Sequence, residues 1–152
     1  MFTRDNATPQ VLDLMQIVNI ELGLLGQNTQ TPAHVVLSYM VKPTVGAARI
    51  LAQYNPSSVN QARETLRDMH GKVEGPIHVQ YFTDSMKRIF KDAQVLAFQD
   101  TRPAVVKVTT DHLLRAILQQ HDPNTIKFLA ALNVNPKQVY DALKKFDGPL
   151  KD

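Results

Sequence analysis

Two short signatures each occur twice in this chain, in the same order, and that duplication constrains the fold more than any other feature. The first is a helix start that ends in histidine: Thr31-Pro32-Ala33-His34 and Thr109-Thr110-Asp111-His112, followed by Val35-Val36 and Leu113-Leu114. The second is an amide-proline pair, Asn55-Pro56 and Asn135-Pro136, with Val59 and Val139 beyond it. Leu51 and Leu129 share the offset of the two histidines. Ala62 with Ala142 and Leu66 with Phe146 share that of the Asn-Pro pairs, and Thr8 pairs with Thr83 at a slightly shorter offset. The drift fits a longer loop in the second copy, between Asp100 and Val108. Apolar residues at helical spacing match by chance, but ordered pairs of polar helix starts do not. Self-similarity at a fixed period marks a supersecondary unit that has been copied.

Each copy reads as four short helices. In the first, Thr8-Pro9 opens a helix with an apolar face of Val11, Leu14, Met15, Val18, Leu22 and Leu25. Thr31-Pro32 opens the next, with Val35, Val36, Tyr39 and Met40, and Lys42-Pro43-Thr44 breaks it. A small-residue helix carries Ala47, Ala48, Ile50 and Leu51, and Asn55-Pro56 is expected to cap a fourth with Val59, Ala62, Leu66 and Met69. In the second copy Phe82-Thr83-Asp84 leads into Met86, Ile89, Phe90, Ala93, Leu96 and Ala97. Asp122-Pro123 and Asn135-Pro136 start its last two helices. The recurrent device has a simple cause. A polar cap accepts from orphan backbone N–H groups, and proline at the first helical position loses no hydrogen bond. The expected fold class is all-α: two pseudo-symmetric four-helix repeats, 8–70 and 82–146, packed as one compact domain, with a coil tail over 147–152. The linker over 71–81 carries Gly71, Gly75 and Pro76, and its alternating Ile77, Val79 and Tyr81 predict an extended second half.

Composition removes several function classes. There is no cysteine among the 152 residues, which excludes disulfides, thiolate catalysis and cysteine-ligated zinc. The five histidines show no metal-ligand spacing. No glycine-rich phosphate loop ending in Lys-Ser or Lys-Thr is present, so nucleotide hydrolysis by that route has no site in this stretch, and neither catalytic residues nor a cofactor is expected in it. A net charge of +3, with no tryptophan, argues against a nucleic-acid partner. No apolar run approaches the roughly 20 residues of a membrane span, and Met1-Phe2-Thr3-Arg4-Asp5 lacks the apolar core of a signal peptide, so a cytoplasmic protein without membrane partners is expected.

His34 and His112, in the first turns of their helices, read as packing residues that bond a neighbouring backbone group. The basic cluster Lys87, Arg88 and Lys91 reads as a solvated face, with a docking patch for an acidic adaptor as the functional alternative. Met15, Met40, Met69 and Met86 fall on apolar stripes and read as core. Thr109, Thr110 and Asp111 carry more chemistry. Free N–H groups at a helix start favour a phosphoryl group, and a carboxylate one turn away pairs with a guanidinium in fork geometry. Plain N-capping stands beside that reading. Thr31 is the corresponding candidate in the first copy, where Pro32 removes a donor and Ala33 removes the acid.

Two four-helix repeats, the second beginning Phe82-Thr83 and containing Thr109-Thr110-Asp111-His112-Leu113-Leu114, resemble the Clp N-terminal repeat domain of AAA+ unfoldases. The resemblance is to the ClpC type above all, where a Gly-rich, partly extended linker leads into Phe-Thr as Gly71 to Phe82 does here, and it spans Thr8 to Phe146. It departs most in the first repeat, at Ala33 and Lys42-Pro43. The resemblance implies an adaptor- and substrate-binding domain of the Clp protease system, with protein substrates, adaptor proteins and AAA+ modules as partners. ATP and magnesium would be used by those modules, outside this stretch. It also implies phosphoarginine as a ligand of the helix starts at Thr31, Thr109, Thr110 and Asp111. The expected chain is a fragment cut at an interdomain linker; the alternative is a free-standing repeat protein that regulates an assembled Clp complex.

Overall fold

The computed structural model describes residues 1–74, 80–100 and 107–145. Among these the chain is all-α, with eight α-helices and two short strands. Helix α1 spans Pro9–Leu25. Thr8 caps it, its Oγ1 accepting from the Val11 N–H at 3.4 Å, and the helix buries Val11, Leu14, Val18, Leu22 and Leu25. It stops at Gly26, where φ is +67° and the Gln27 N–H returns to the Leu22 carbonyl at 2.9 Å, the left-handed closure that glycine adopts without strain.

Helix α2, Pro32–Val41, is buried from Pro32 to Met40. A helix apolar all round belongs at the centre of a core. Short helix α3, Ala48–Gln53, and amphipathic α4, Val59–His70, complete the first copy. In the second, α5 is Asp84–Gln99, α6 is Thr110–Gln120, α7 is Pro123–Ala131 and α8 is Pro136–Lys145. Thr83 and Asp122 cap α5 and α7 with side-chain oxygens, and Asn135 Oδ1 accepts from the Lys137 and Gln138 N–H groups at the start of α8.

One start differs from expectation. Asn55-Pro56 does not cap α4. Asn55 Oδ1 accepts from the Ser57 N–H at 3.0 Å in the preceding loop, and Ser58 is the cap. Ser58 Oγ accepts from the Gln61 N–H while Gln61 Oε1 accepts from the Ser58 N–H, a reciprocal capping box that satisfies two donors directly at the helix start.

The two copies interlock. Strand β1 (Thr29–Gln30) pairs in parallel with β2 (Tyr81–Phe82), Gln30 opposite Phe82, and an isolated parallel bridge joins Ala7 to Val108. By the sequence offsets Ala7 corresponds to Phe82 and Gln30 to Val108, so one pairing is made twice with its partners exchanged. Helix α1 packs on α2 as α5 does on α6, while α3 packs on α8 and α4 on α7 across the seam. Thr110 closes that seam. Its Oγ1 accepts from the Ala47 N–H at 2.9 Å and its carbonyl accepts from the Tyr39 hydroxyl at 2.6 Å. The result is one core, with Leu14, Tyr39, Leu66, Met86, Leu113 and Phe128 all fully buried in it.

Of the alternating linker residues, Tyr81 lies in β2, whereas Ile77 and Val79 lie outside the described residues, as do Phe146 and the tail over 147–152. No described helix is long and apolar enough to cross a membrane.

Candidate functional site

The two histidine helix starts are built alike. The Thr31 N–H donates to His34 Nδ1 at 3.1 Å, and the Thr109 N–H donates to His112 Nδ1 at 3.0 Å. With Nδ1 accepting, each neutral ring carries its hydrogen on Nε2. His34 Nε2 meets Gln27 Oε1 at 2.7 Å, and His112 Nε2 meets Asp100 Oδ2 at 2.9 Å. Gln27 Nε2 then donates to the carbonyls of Leu66 and Gly71, tying the start of α2 to the end of α4. Burial pushes the His34 ring down to about 3, with His70, stacked at 5.6 Å, adding to the effect. Burial lowers His112 too, but there the Asp100 carboxylate opposes it. Both rings are structural clamps.

Thr109, Thr110 and Asp111 come together at the start of α6, all three buried; Thr31 is buried at the start of α2. Asp111 has no exposed surface and is held by Arg115, with Nε at 3.2 Å from Oδ1 and Nη2 at 2.9 Å from Oδ2. A guanidinium therefore already sits in a fork on this carboxylate. In the first copy the corresponding residues are Ala33 and Leu37, two buried apolar side chains where the second copy has an ion pair.

A different face is open. Phe90 of α5 takes Phe2 edge-on at 5.0 Å and Phe82 edge-on at 5.5 Å. Around this trio lies a recess of about 390 Å³ between α1 and α5, walled by Leu12 and Met15 on one side and Phe90 on the other. Gln30 lines it. Its side chain is buried, and Nε2 makes no hydrogen bond to the described residues. A buried donor without an acceptor is costly unless something supplies one. A groove of about 690 Å³ continues along α5 past Lys87, Lys91 and Val95 to Phe98, a residue 91% exposed. Exposed apolar surface next to a recess marks an interaction face. Phe2, Gln30 and Phe98 escape sequence reasoning. The only signal was at Phe98, an aromatic on the polar side of an otherwise regular stripe.

No family model matches the sequence, and no curated protein matches it. The fold is more telling. The N-terminal domain of ClpD, a chaperone associated with caseinolytic protease in Arabidopsis thaliana, superposes with a TM-score of 0.72 over 93% of this chain and 97% of its own, at 15% identity. This chain has the Clp N-domain fold. The Hsp104 N-terminal domain of Candida albicans matches with a TM-score of 0.68, 10% identity and coverage of 92% and 90%. The N-domain of ClpV from Vibrio cholerae matches at 0.62, 13% identity and coverage of 90% and 82%. At such identities the likeness carries the Clp N-domain fold and not the side chains, so the α1–α5 face has to be judged on its own chemistry.

Proposed function

We propose that this chain is a docking module for protein substrates and adaptors of a ClpC-like unfoldase, without bond chemistry of its own. The observation that carries the reading is the α1–α5 face, where an aromatic recess opens beside a solvent-exposed Phe98. Aromatic walls suit an apolar side chain of a bound segment. ATP-driven unfolding would belong to AAA+ modules outside this stretch. Phe98→Ser changes a side chain with almost no packing, so melting should be unaffected. Binding of a fluorescein-labelled apolar peptide should weaken by roughly tenfold, the loss expected from one aromatic contact. A variant that binds as wild type would refute the reading.

A second reading, phosphoarginine recognition at the start of α6, is supported by the Asp111–Arg115 fork, since it shows that this carboxylate holds a guanidinium. An incoming phosphoarginine would displace Arg115 from Asp111 and bring its phosphoryl group to the helix start at Thr109 and Thr110, with Thr31 as the weaker counterpart in the first copy. Titration calorimetry with phosphoarginine and with arginine, on wild type and Asp111→Ala, decides it. Selective binding that the variant loses is expected; no binding by wild type, or equal binding by both proteins, overturns it.

A further inference from the structure

Among the described residues, the charged side chains that line the α1–α5 groove have one sign: they are Arg4, Lys87 and Lys91, with no carboxylate in the lining. Lys87 and Lys91 stand one helical turn apart on α5, on the side that leads to Phe98. Lys87 has a carboxylate neighbour, Asp84, but at 4.0 Å and with both side chains largely in water. Such a pair is weak and yields readily to a better partner. The floor is the opposite in character: Phe2 and Phe82 each stand edge-on to Phe90, and Gln30 lines the same recess.

Resting on the docking reading above, we infer that the groove takes an extended segment of a partner protein in which an apolar anchor is flanked by carboxylates. The anchor packs on the phenylalanines, and the flanking Asp or Glu side chains meet Arg4, Lys87 and Lys91. Rim charges of one sign raise the encounter rate with an acidic segment and reject a basic one. The same rim disfavours a second copy of this chain, because a two-fold contact would set like charges against each other.

The test is fluorescence polarisation with labelled peptides sharing a Leu-Phe centre and flanked by Glu, by Gln or by Lys, and with a labelled thymidine oligonucleotide. The Glu peptide should bind roughly tenfold tighter than the Gln peptide, and the advantage should shrink at high salt. Lys87→Glu with Lys91→Glu, both at the surface of α5, should melt like wild type and invert the order in favour of the Lys peptide. Equal affinity of the Glu and Gln peptides for wild type overturns this inference and leaves docking standing. Failure of every peptide to bind overturns both. Tighter binding of the oligonucleotide than of any peptide overturns the protein partner, and self-association abolished by Phe98→Ser overturns it in favour of a second copy.

Discussion

Alanine at Arg63 is expected to cost about 3 kcal/mol of stability, the low end of what breaking a buried pair costs. Arg63 on α4 reaches Glu21 on α1 through two parallel bonds, Nε to Oε2 at 2.9 Å and Nη2 to Oε1 at 2.7 Å. The partners differ in access to water: the Glu21 side chain is 3% exposed and that of Arg63 27%. Removing Arg63 leaves a carboxylate buried without its guanidinium. Removing Glu21 leaves a guanidinium that can turn outward on its long stem, so Glu21→Ala should cost less, about 1 kcal/mol. Replacing both, with Glu21→Leu and Arg63→Met, should come close to wild type, because the pair's attraction barely repays its desolvation. Urea melts of the four proteins read the order directly, provided the slope with denaturant is unchanged. The Lys42–Asp13 pair at 3.7 Å, about half exposed on both sides, is the control: Asp13→Ala should cost under about 1 kcal/mol. If Arg63→Ala costs no more than Asp13→Ala, the α1–α4 contact is held by its apolar residues alone.

The helices were legible because their starts are written in local chemistry. Thr8-Pro9, Thr83-Asp84 and Asp122-Pro123 each cap a helix at the residue the sequence suggests, since a side-chain oxygen and the first free N–H groups lie within one turn of each other. The same logic misplaced the start of α4, where two local solutions competed and Ser58 with Gln61 prevailed over Asn55. What the sequence could not show was long-range. The Ala7–Val108 and Gln30–Phe82 bridges join distant segments, and nothing in either segment names its partner. Nor could it show that Thr110 would face Ala47 and Tyr39 across the seam, whereas the Asp111–Arg115 pair, four residues apart on one helix, lay within reach of local spacing. The α1–α5 recess is the clearest case. It is walled by Phe2, Leu12, Met15 and Phe90, brought together from three separate stretches, and Met15 looked like core because half of its surroundings are core.

Lowering the pH should destabilise the fold well before carboxylates protonate, and His34 should carry most of the effect. Its ring has no exposed surface, donates to Gln27, and is held near a pKa of about 3, against 6.5 for the ordinary group. Above pH 6.5 the ring is neutral in both folded and unfolded chains and makes no difference. Below it the unfolded chain takes up a proton that the folded ring refuses. The unfolded state then binds more protons, so stability falls with pH, from about 6.5 down to about 3. At 1.36 kcal/mol per unit, that interval corresponds to at most about 5 kcal/mol. His70 and His112 are lowered as well, chiefly by burial, and act with the same sign. Asp122, where hydrogen bonds from Ser85 and Thr125 outweigh the effect of burial, is held below the usual carboxylate range and contributes only at the acid end. Glutamine at position 34 can still accept from the Thr31 N–H, as Gln61 accepts from Ser58, but it cannot titrate. His34→Gln should therefore flatten the pH dependence of urea midpoints between pH 6.5 and 4. His112→Gln should flatten it less, because Asp100 stabilises the protonated ring and keeps its folded pKa closer to the unfolded one. Gln27 gives His34 an amide where Asp100 gives His112 a carboxylate, and with His70 beside His34 this sets the two slopes apart. Equal flattening by both variants would mean that the Asp100 carboxylate does not set the two rings apart.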